Sequence, residues 1–336
     1  DVAMSPLLSD IAVAAERIKA IQIHAHEWAQ SENIVALWLA RSLYGNHPYG
    51  LPRTTRSGLD STTSDDLKAL HKAIVDPHRG LVLVAGQIDV DAVVQRLADR
   101  YGDLPSQTSP VPRVPELSDG VPKIVTTIEL EAAESTTIGL GLPTVARNHP
   151  DYLALRLANQ IFGGSASARL FATLRDEMGL CYGAYSTLDC GRHGGDLTAQ
   201  INVANHRAGE GFSALSSQLI KMGTGDISSS ELAHAGRFLA GTFPHRASGL
   251  AGLSSLVTAG WLHDLPGDVW SKIQEDIHAV DLQMVRAMAM KWFDFDRATW
   301  VVAGPKEGLI QVQSAASKIG LETVHRHMTD LESAFI

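Results

Sequence analysis

One segment of this 336-residue chain occurs twice, 218 residues apart. Asp76-Pro77-His78-Arg79 leads into Leu81-Val82-Leu83-Val84-Ala85-Gly86, and Asp294-Phe295-Asp296-Arg297 leads with the same spacing into Thr299-Trp300-Val301-Val302-Ala303-Gly304. A helical period follows each glycine, over Val90 to Tyr101 and Lys306 to Ile319, and stops at Gly102 and Gly320. Each copy therefore predicts helix, strand, Ala-Gly turn, helix and glycine stop. A supersecondary unit recurring at this distance implies two homologous halves.

Between the copies, Leu104 to Pro122 holds five of the 14 prolines among Ser, Thr and Gln, the composition of a linker. Residues 1–104 are then expected to be the C-terminal part of a first half, 105–122 the linker, and 123–336 a second half. On the repeat period, a first half of equal length would begin about 95 residues before Asp1, so the first half is expected to be truncated at its N-terminus. In the second half, alternation predicts strands over Lys123–Leu130, Thr136–Leu142, Leu180–Asp189, Asp196–Val203 and Thr299–Ala303. Helices are expected over Pro150–Phe162, Ser167–Met178, His206–Lys221, Ser230–Phe243, Leu250–Leu262 and Leu282–Phe293, with a closing helix after the last strand. Strands early and helices late give an α+β fold, a sheet covered by a helical layer.

Composition excludes several classes of partner. Lys and Arg total 28 against 37 Asp and Glu, a net charge of −9 with no basic-aromatic stripe, which argues against nucleic acid. No apolar run approaches the ~18 residues of a membrane span. Cys181 and Cys190 form neither a C-x-x-C pair nor a disulfide framework. The opening Asp-Val-Ala has no initiator Met or signal-type core, so a processed or truncated product is expected and the compartment is left unread.

The 14 histidines contain no H-x-x-E-H, H-E-x-x-H or H-x-x-x-H pair. Within His24-Ala25-His26-Glu27, helical spacing lets His24 and Glu27 share a face but not His24 and His26, and a solvated helix face is the expectation. His325-Arg326-His327 is expected to be a frayed tail. No G-x-S-x-G elbow occurs, and Ser165 or Ser167 after Gly163-Gly164 is expected to cap the next helix. Cys181 is expected to be a structural thiol in an apolar strand. A helix ending at Gly179 puts Arg175 in its last turn, and the strand after it aims Tyr182, Ala184 and Ser186 to one side. Arg175 and Tyr182 can then converge, either as fixed donors for a carbonyl oxygen and the oxyanion it becomes, or as a helix-end cation beside a half-buried packing ring.

Gly163-Gly164-Ser165, Ser167-x-Arg169-Leu170-Phe171 and Leu174-Arg175-x-Glu177-x-Gly179-Leu180-x-Tyr182 together resemble a signature of the pitrilysin, insulin-degrading enzyme and mitochondrial processing peptidase family, the inverted-motif zinc peptidases. Leu43-Tyr44-Gly45-Asn46-His47-Pro48-Tyr49-Gly50 resembles the same family's first-half signature. The resemblance covers essentially the whole chain and implies two homologous α+β halves in a clamshell. It also implies an H-x-x-E-H motif with a downstream glutamate ligand in the first half, and an Arg/Tyr pair in the second that Arg175 and Tyr182 match. The third-ligand position falls near Ile23, where no carboxylate stands, Glu16 and Glu27 being the nearest. The resemblance is therefore to the bacterial two-subunit members. It implies a chain that binds no metal itself, whose Arg175 and Tyr182 hold the substrate carbonyl and tetrahedral oxyanion of a peptide while a homologous H-x-x-E-H partner carries zinc. Two alternatives stay open: a non-catalytic structural core subunit, and a complete zinc peptidase whose metal motif was cut away. For compartment it leaves bacterial periplasm or cytoplasm, the periplasm slightly favoured.

Overall fold

A computed structural model describes residues 5–51, 55–75, 80–103, 114–115, 123–327 and 330. Most of the 105–122 linker and the Asp76–Arg79 end of the first repeat copy lie outside the described residues. The first part of the chain is helical: α1 (Asp10–Glu27), α2 (Ser31–Tyr44), α3 (Arg56–Ser61), α4 (Ser64–Ile74) and α5 (Val90–Tyr101). The second part runs β1 (Ile124–Glu129), β2 (Ser135–Thr144), α6 (Tyr152–Phe162), a π-helix over Phe171–Glu177, β3 (Ala184–Cys190) and β4 (Gly195–Ala204). It continues with α7 (Ala208–Gly223), α8 (Ser229–Arg246), α9 (Gly249–Leu262), α10 (Val269–Ala279), α11 (Leu282–Trp292), β5 (Thr299–Gly304), α12 (Lys306–Lys318) and β6 (Glu322–Arg326).

The strands form one mixed sheet in the order β3-β4-β2-β5-β1-β6, with β1 parallel to β5 and β6 and the other pairs antiparallel. This is the α+β architecture that the strand-then-helix order predicts. On one face Val125, Ile138, Leu140, Ile201, Trp300 and Val302 join residues of α6, α7, α11 and α12 in the main core. The opposite face is closed by α2, whose Ile34, Val35, Trp38 and Leu39 pack on Ile128, Val301 and Ala303. Because β5 is covered on both faces, all six of its residues are buried, which explains its unbroken apolar run.

Gly139 and Gly141 of β2 admit α2. A Cβ on Gly139 would overlap the Val35 Cγ1 methyl and come within 2.9 Å of Leu39 Cδ1, and one on Gly141 would lie 3.0 Å from Leu43 Cδ1. Polar groups align the helix along β2 and β4. Ser31 Oγ lies 2.7 Å from Thr137 Oγ1, Asn202 Nδ2 donates to Glu32 Oε1, and at the far end the Tyr44 hydroxyl donates to Asp196 Oδ2 at 2.6 Å. Burial, together with Asp189 facing it across the strands, pushes the Asp196 carboxyl up to about 6, although the Tyr44 hydrogen bond pulls the other way.

The two repeat copies fold differently. Thr63 and Asp281, 218 residues apart, N-cap α4 and α11. Yet only the second copy makes its strand. Leu81–Ala85 is irregular, Val82 is 61% exposed and α5 buries no residue. A strand needs neighbours for its backbone groups, and among the described residues none runs beside Leu81–Ala85, whereas β5 lies between β2 and β1. Gly320 takes the left-handed conformation at φ +73, while Gly102 stays right-handed at φ −63.

Three further expectations are corrected. His325 and Arg326 are not a frayed tail but belong to β6, held by backbone pairing along the open edge of β1. Helix α10, which the expected helices omit, packs through Ile273 and Ile277, one helical turn apart. His24 is buried and stacks on Trp28 at 4.8 Å between ring centroids, so it is not on a solvated helix face. No described helix is long and apolar enough to cross a membrane.

Substituting Gly139→Ala should destabilise the chain by about 1–3 kcal/mol in urea unfolding, since the added carbon displaces Val35 and Leu39. Val35→Ala in the same chain should restore part of the loss. Full stability of the single variant would show that α2 does not sit against β2.

Candidate active site

Arg175 and Tyr182 flank the turn that joins the π-helix to β3. The helix closes with Met178 N donating to Thr173 O at 3.0 Å, the five-residue span of a π turn, rather than as the expected α-helix. Gly179 at φ +57 reverses the chain, a conformation that only glycine enters freely, and Leu180 N then donates to Leu174 O at 2.8 Å. The Arg175 guanidinium carbon sits 4.4 Å from the Phe171 ring centroid and 5.3 Å from that of Tyr182. The turn therefore brings the two residues together, as expected, but not through strand alternation. β3 begins only at Ala184, whose side chain is buried with that of Ser186, while Tyr182 precedes the strand and is 92% exposed. A half-buried packing ring is thus excluded. Cys181 also precedes the strand, and burial pushes its thiol up against the lowering effect of Arg175. Both cysteines are free.

The neighbouring signature residues build the frame. Gly163 O accepts from Ser186 N at 2.9 Å, occupying an outward amide of edge strand β3, and a Cβ on Gly163 would lie 2.6 Å from that nitrogen. Ser165 and Ser167 do not cap the next helix. Their hydroxyls lie 3.1 Å apart, and Ser167 Oγ is 2.9 Å from His234 Nε2. Arg169 donates to Glu231 through Nε at 2.6 Å and Nη2 at 2.9 Å, and Nη2 also reaches Asp226 O at 2.5 Å. Glu231 meanwhile completes the capping box of α8 with Ser228. Burial opposes its ionisation, but the hydrogen bonds from Arg169 and Ser228 outweigh it and hold the carboxyl at about 2.

With this geometry established, the comparisons are specific. Residues 61–238, more than half of the chain, match the family described as Peptidase M16 inactive domain. The chain belongs to the M16 peptidase family. Among its M16 relatives, an uncharacterized zinc protease of Mycobacterium leprae is 28% identical over 194 residues, which cover 56% of this chain and 43% of that protein. An uncharacterized zinc protease of Bacillus subtilis is 24% identical over 277 residues, covering 81% of this chain and 66% of that protein. The chain thus spans under half the length of the first of these relatives. The M16 inactive domain from Pseudomonas fluorescens superposes with a TM-score of 0.80 at 22% identity, covering 91% of this chain and 73% of that one. A protease from Helicobacter pylori gives 0.78 at 17% identity, covering 88% and 73%.

Zinc does not fit the described residues. His24 is stacked in the α1–α2 corner, and among the described residues no group of three or more His, Cys, Asp or Glu side chains is placed to hold a metal. What the turn does present is a fixed cation and an exposed phenol.

Glu231→Gln tests the frame. A carboxyl whose folded value lies below its ordinary one stabilises fully above about pH 4.5, and that stability is lost as pH falls towards 2. The variant should lose about 1–2 kcal/mol at pH 7, a figure reduced for partial exposure, and its deficit should shrink between pH 4 and pH 2 in urea melts. A deficit that does not change with pH would mean that the ionised pair contributes nothing.

Proposed function

We propose that this chain is the non-zinc member of a two-chain M16 peptidase and presents Arg175 and Tyr182 to the scissile carbonyl of a peptide held against a homologous, zinc-bearing H-x-x-E-H partner. Residues 1–104 and 123–336 then belong to two homologous halves of that member. The observation that carries the reading is Tyr182, a large ring 92% exposed with no hydrogen bond among the described residues. Folding makes no use of such a residue, so its place beside Arg175 is explained by what it meets from outside.

The chemistry follows from the side chains. The Arg175 guanidinium lies against the Phe171 and Tyr182 rings, a contact that restrains it while its N–H groups can still donate. The Tyr182 hydroxyl supplies a second donor. Together they polarise a carbonyl oxygen and bind the negative charge that develops there when water adds to the carbon. In the isolated chain both groups face water, where such interactions are weak. A partner that closes over the turn excludes that water, so the pair acts only in the assembly. The metal chemistry belongs wholly to the partner. The inactive-domain family match also supports a second reading, a structural subunit with no part in the chemistry.

Mixing experiments separate the two. Activity should appear only when this chain is combined with its zinc-bearing homologue, and Arg175→Ala or Tyr182→Phe should cut turnover about 100- to 1000-fold while gel filtration shows intact assembly. Near-normal turnover for Tyr182→Phe would leave the structural reading.

A further inference from the structure

Against a net charge of −9, one region of the second part of the chain concentrates unpaired cations. A cavity of about 460 Å³ between α6, α8, α9 and α10 is lined by Arg147, Arg156 and Arg246 beside Tyr152, Phe243 and Trp270, with no Asp or Glu in its wall. An adjoining cavity of about 460 Å³ shares Tyr152, Arg156, Leu239 and Arg246, reaches Ser186–Leu188 of edge strand β3, and also lacks a carboxylate. Arg156 donates to the Tyr152 hydroxyl at 3.2 Å, and the Arg147 guanidinium lies 3.7 Å from the Tyr152 ring centroid. None of the three arginines has a carboxylate partner among the described residues. Burial holds Arg147 below its ordinary value, and the like charges of Arg156 and Arg246 add to the effect. In the adjoining cavity wall Gln160, 7% exposed, has its Nε2 buried without a hydrogen-bond partner.

Three guanidinium groups line the first cavity with no counter-charge in its wall, and the burial of Arg147 there carries a desolvation cost that a bound anion would offset. Guanidinium forks match carboxylate oxygens in pairs. The remaining wall is apolar, with Leu239, Leu256, Ile273 and Ile277 beside the aromatic rings, and suits an anion carried on a hydrocarbon stem better than a bare ion. We infer that the paired cavities bind an acidic peptide segment, seating a Glu or Asp carboxylate on Arg156 and Arg246 while its backbone continues towards the edge of β3. The choice of a peptide over another carboxylate rests on the proposed role in peptide hydrolysis, whereas the anion site itself rests on these residues alone.

Binding to the whole chain without any partner tests this, so its outcome is distinguishable from that of the Arg175 and Tyr182 experiment. Fluorescence anisotropy would follow a short fluorescein-labelled peptide of alternating Glu and Leu, and its Gln-Leu counterpart. The Glu peptide should bind with an affinity that falls as salt rises, and Arg156→Gln or Arg246→Gln should weaken it about tenfold or more. Arg156→Lys keeps the charge but not the fork and should fall between. Should Arg156→Gln fail to fold, Arg246→Gln, at an exposed position, carries the test. Equal binding of the Gln peptide, no binding of the Glu peptide, or unchanged affinity in the Arg246 variant would overturn the proposal. Displacement of the peptide by equimolar inorganic phosphate would also overturn it, by marking a small-anion site.

Discussion

The approach of α2 to the bare backbone of Gly139 and Gly141 is the contact on which the rest of the structure depends. A six-stranded sheet with helices on one side only would expose the opposite faces of β1, β2 and β5 to water. Two missing side chains in β2 leave room for a helix to lie close, and Val35, Leu39 and Leu43 occupy it. The close approach buries Ile128, Val301 and Ala303 and so permits β5 to be apolar on both faces. Hydrogen bonds at both ends, Ser31 to Thr137 and Tyr44 to Asp196, set the helix direction along the strands. The earlier part of the chain is thereby built into the core of the later part.

That rigid sheet carries the turn at its edge. Gly163 bonded to Ser186, and Arg169 clamped between Glu231 and Asp226, join the edge strand, the π-helix and the start of α8. Most residues of the family signature are therefore occupied in holding structure. Arg175 and Tyr182 are different: Arg175 lies against the Phe171 and Tyr182 rings, and both residues are exposed. The fold holds these two side chains together at the turn without burying them.

One of the two arginine-lined cavities lies where α6 and α8 meet the edge strand, and its wall includes Gln160 of α6 and Gly164 of the loop before the π-helix.

By itself the sequence determined the α+β class, β5 and α12 after the second repeat segment, and the family, because periodicity and glycine position act locally and the signature residues sit at fixed spacing. It also placed Arg175 and Tyr182 at one turn, since a helix closed by Gly179 reverses there whatever surrounds it. Tertiary structure decided what local pattern cannot encode. Leu81–Ala85 and Thr299–Gly304 carry like patterns, yet among the described residues only the second has strands on either side, and backbone pairing rather than apolarity makes a strand. The docking of α2 was signalled only by the Gly139-x-Gly141 alternation, which shows that something comes close without showing what. Tyr182 was expected in a strand and stands outside it, fully in water, because β3 starts after Gly183. The convergence of Arg147, Arg156 and Arg246 from a loop and two helices is a property of packing, and no spacing along the chain reveals it.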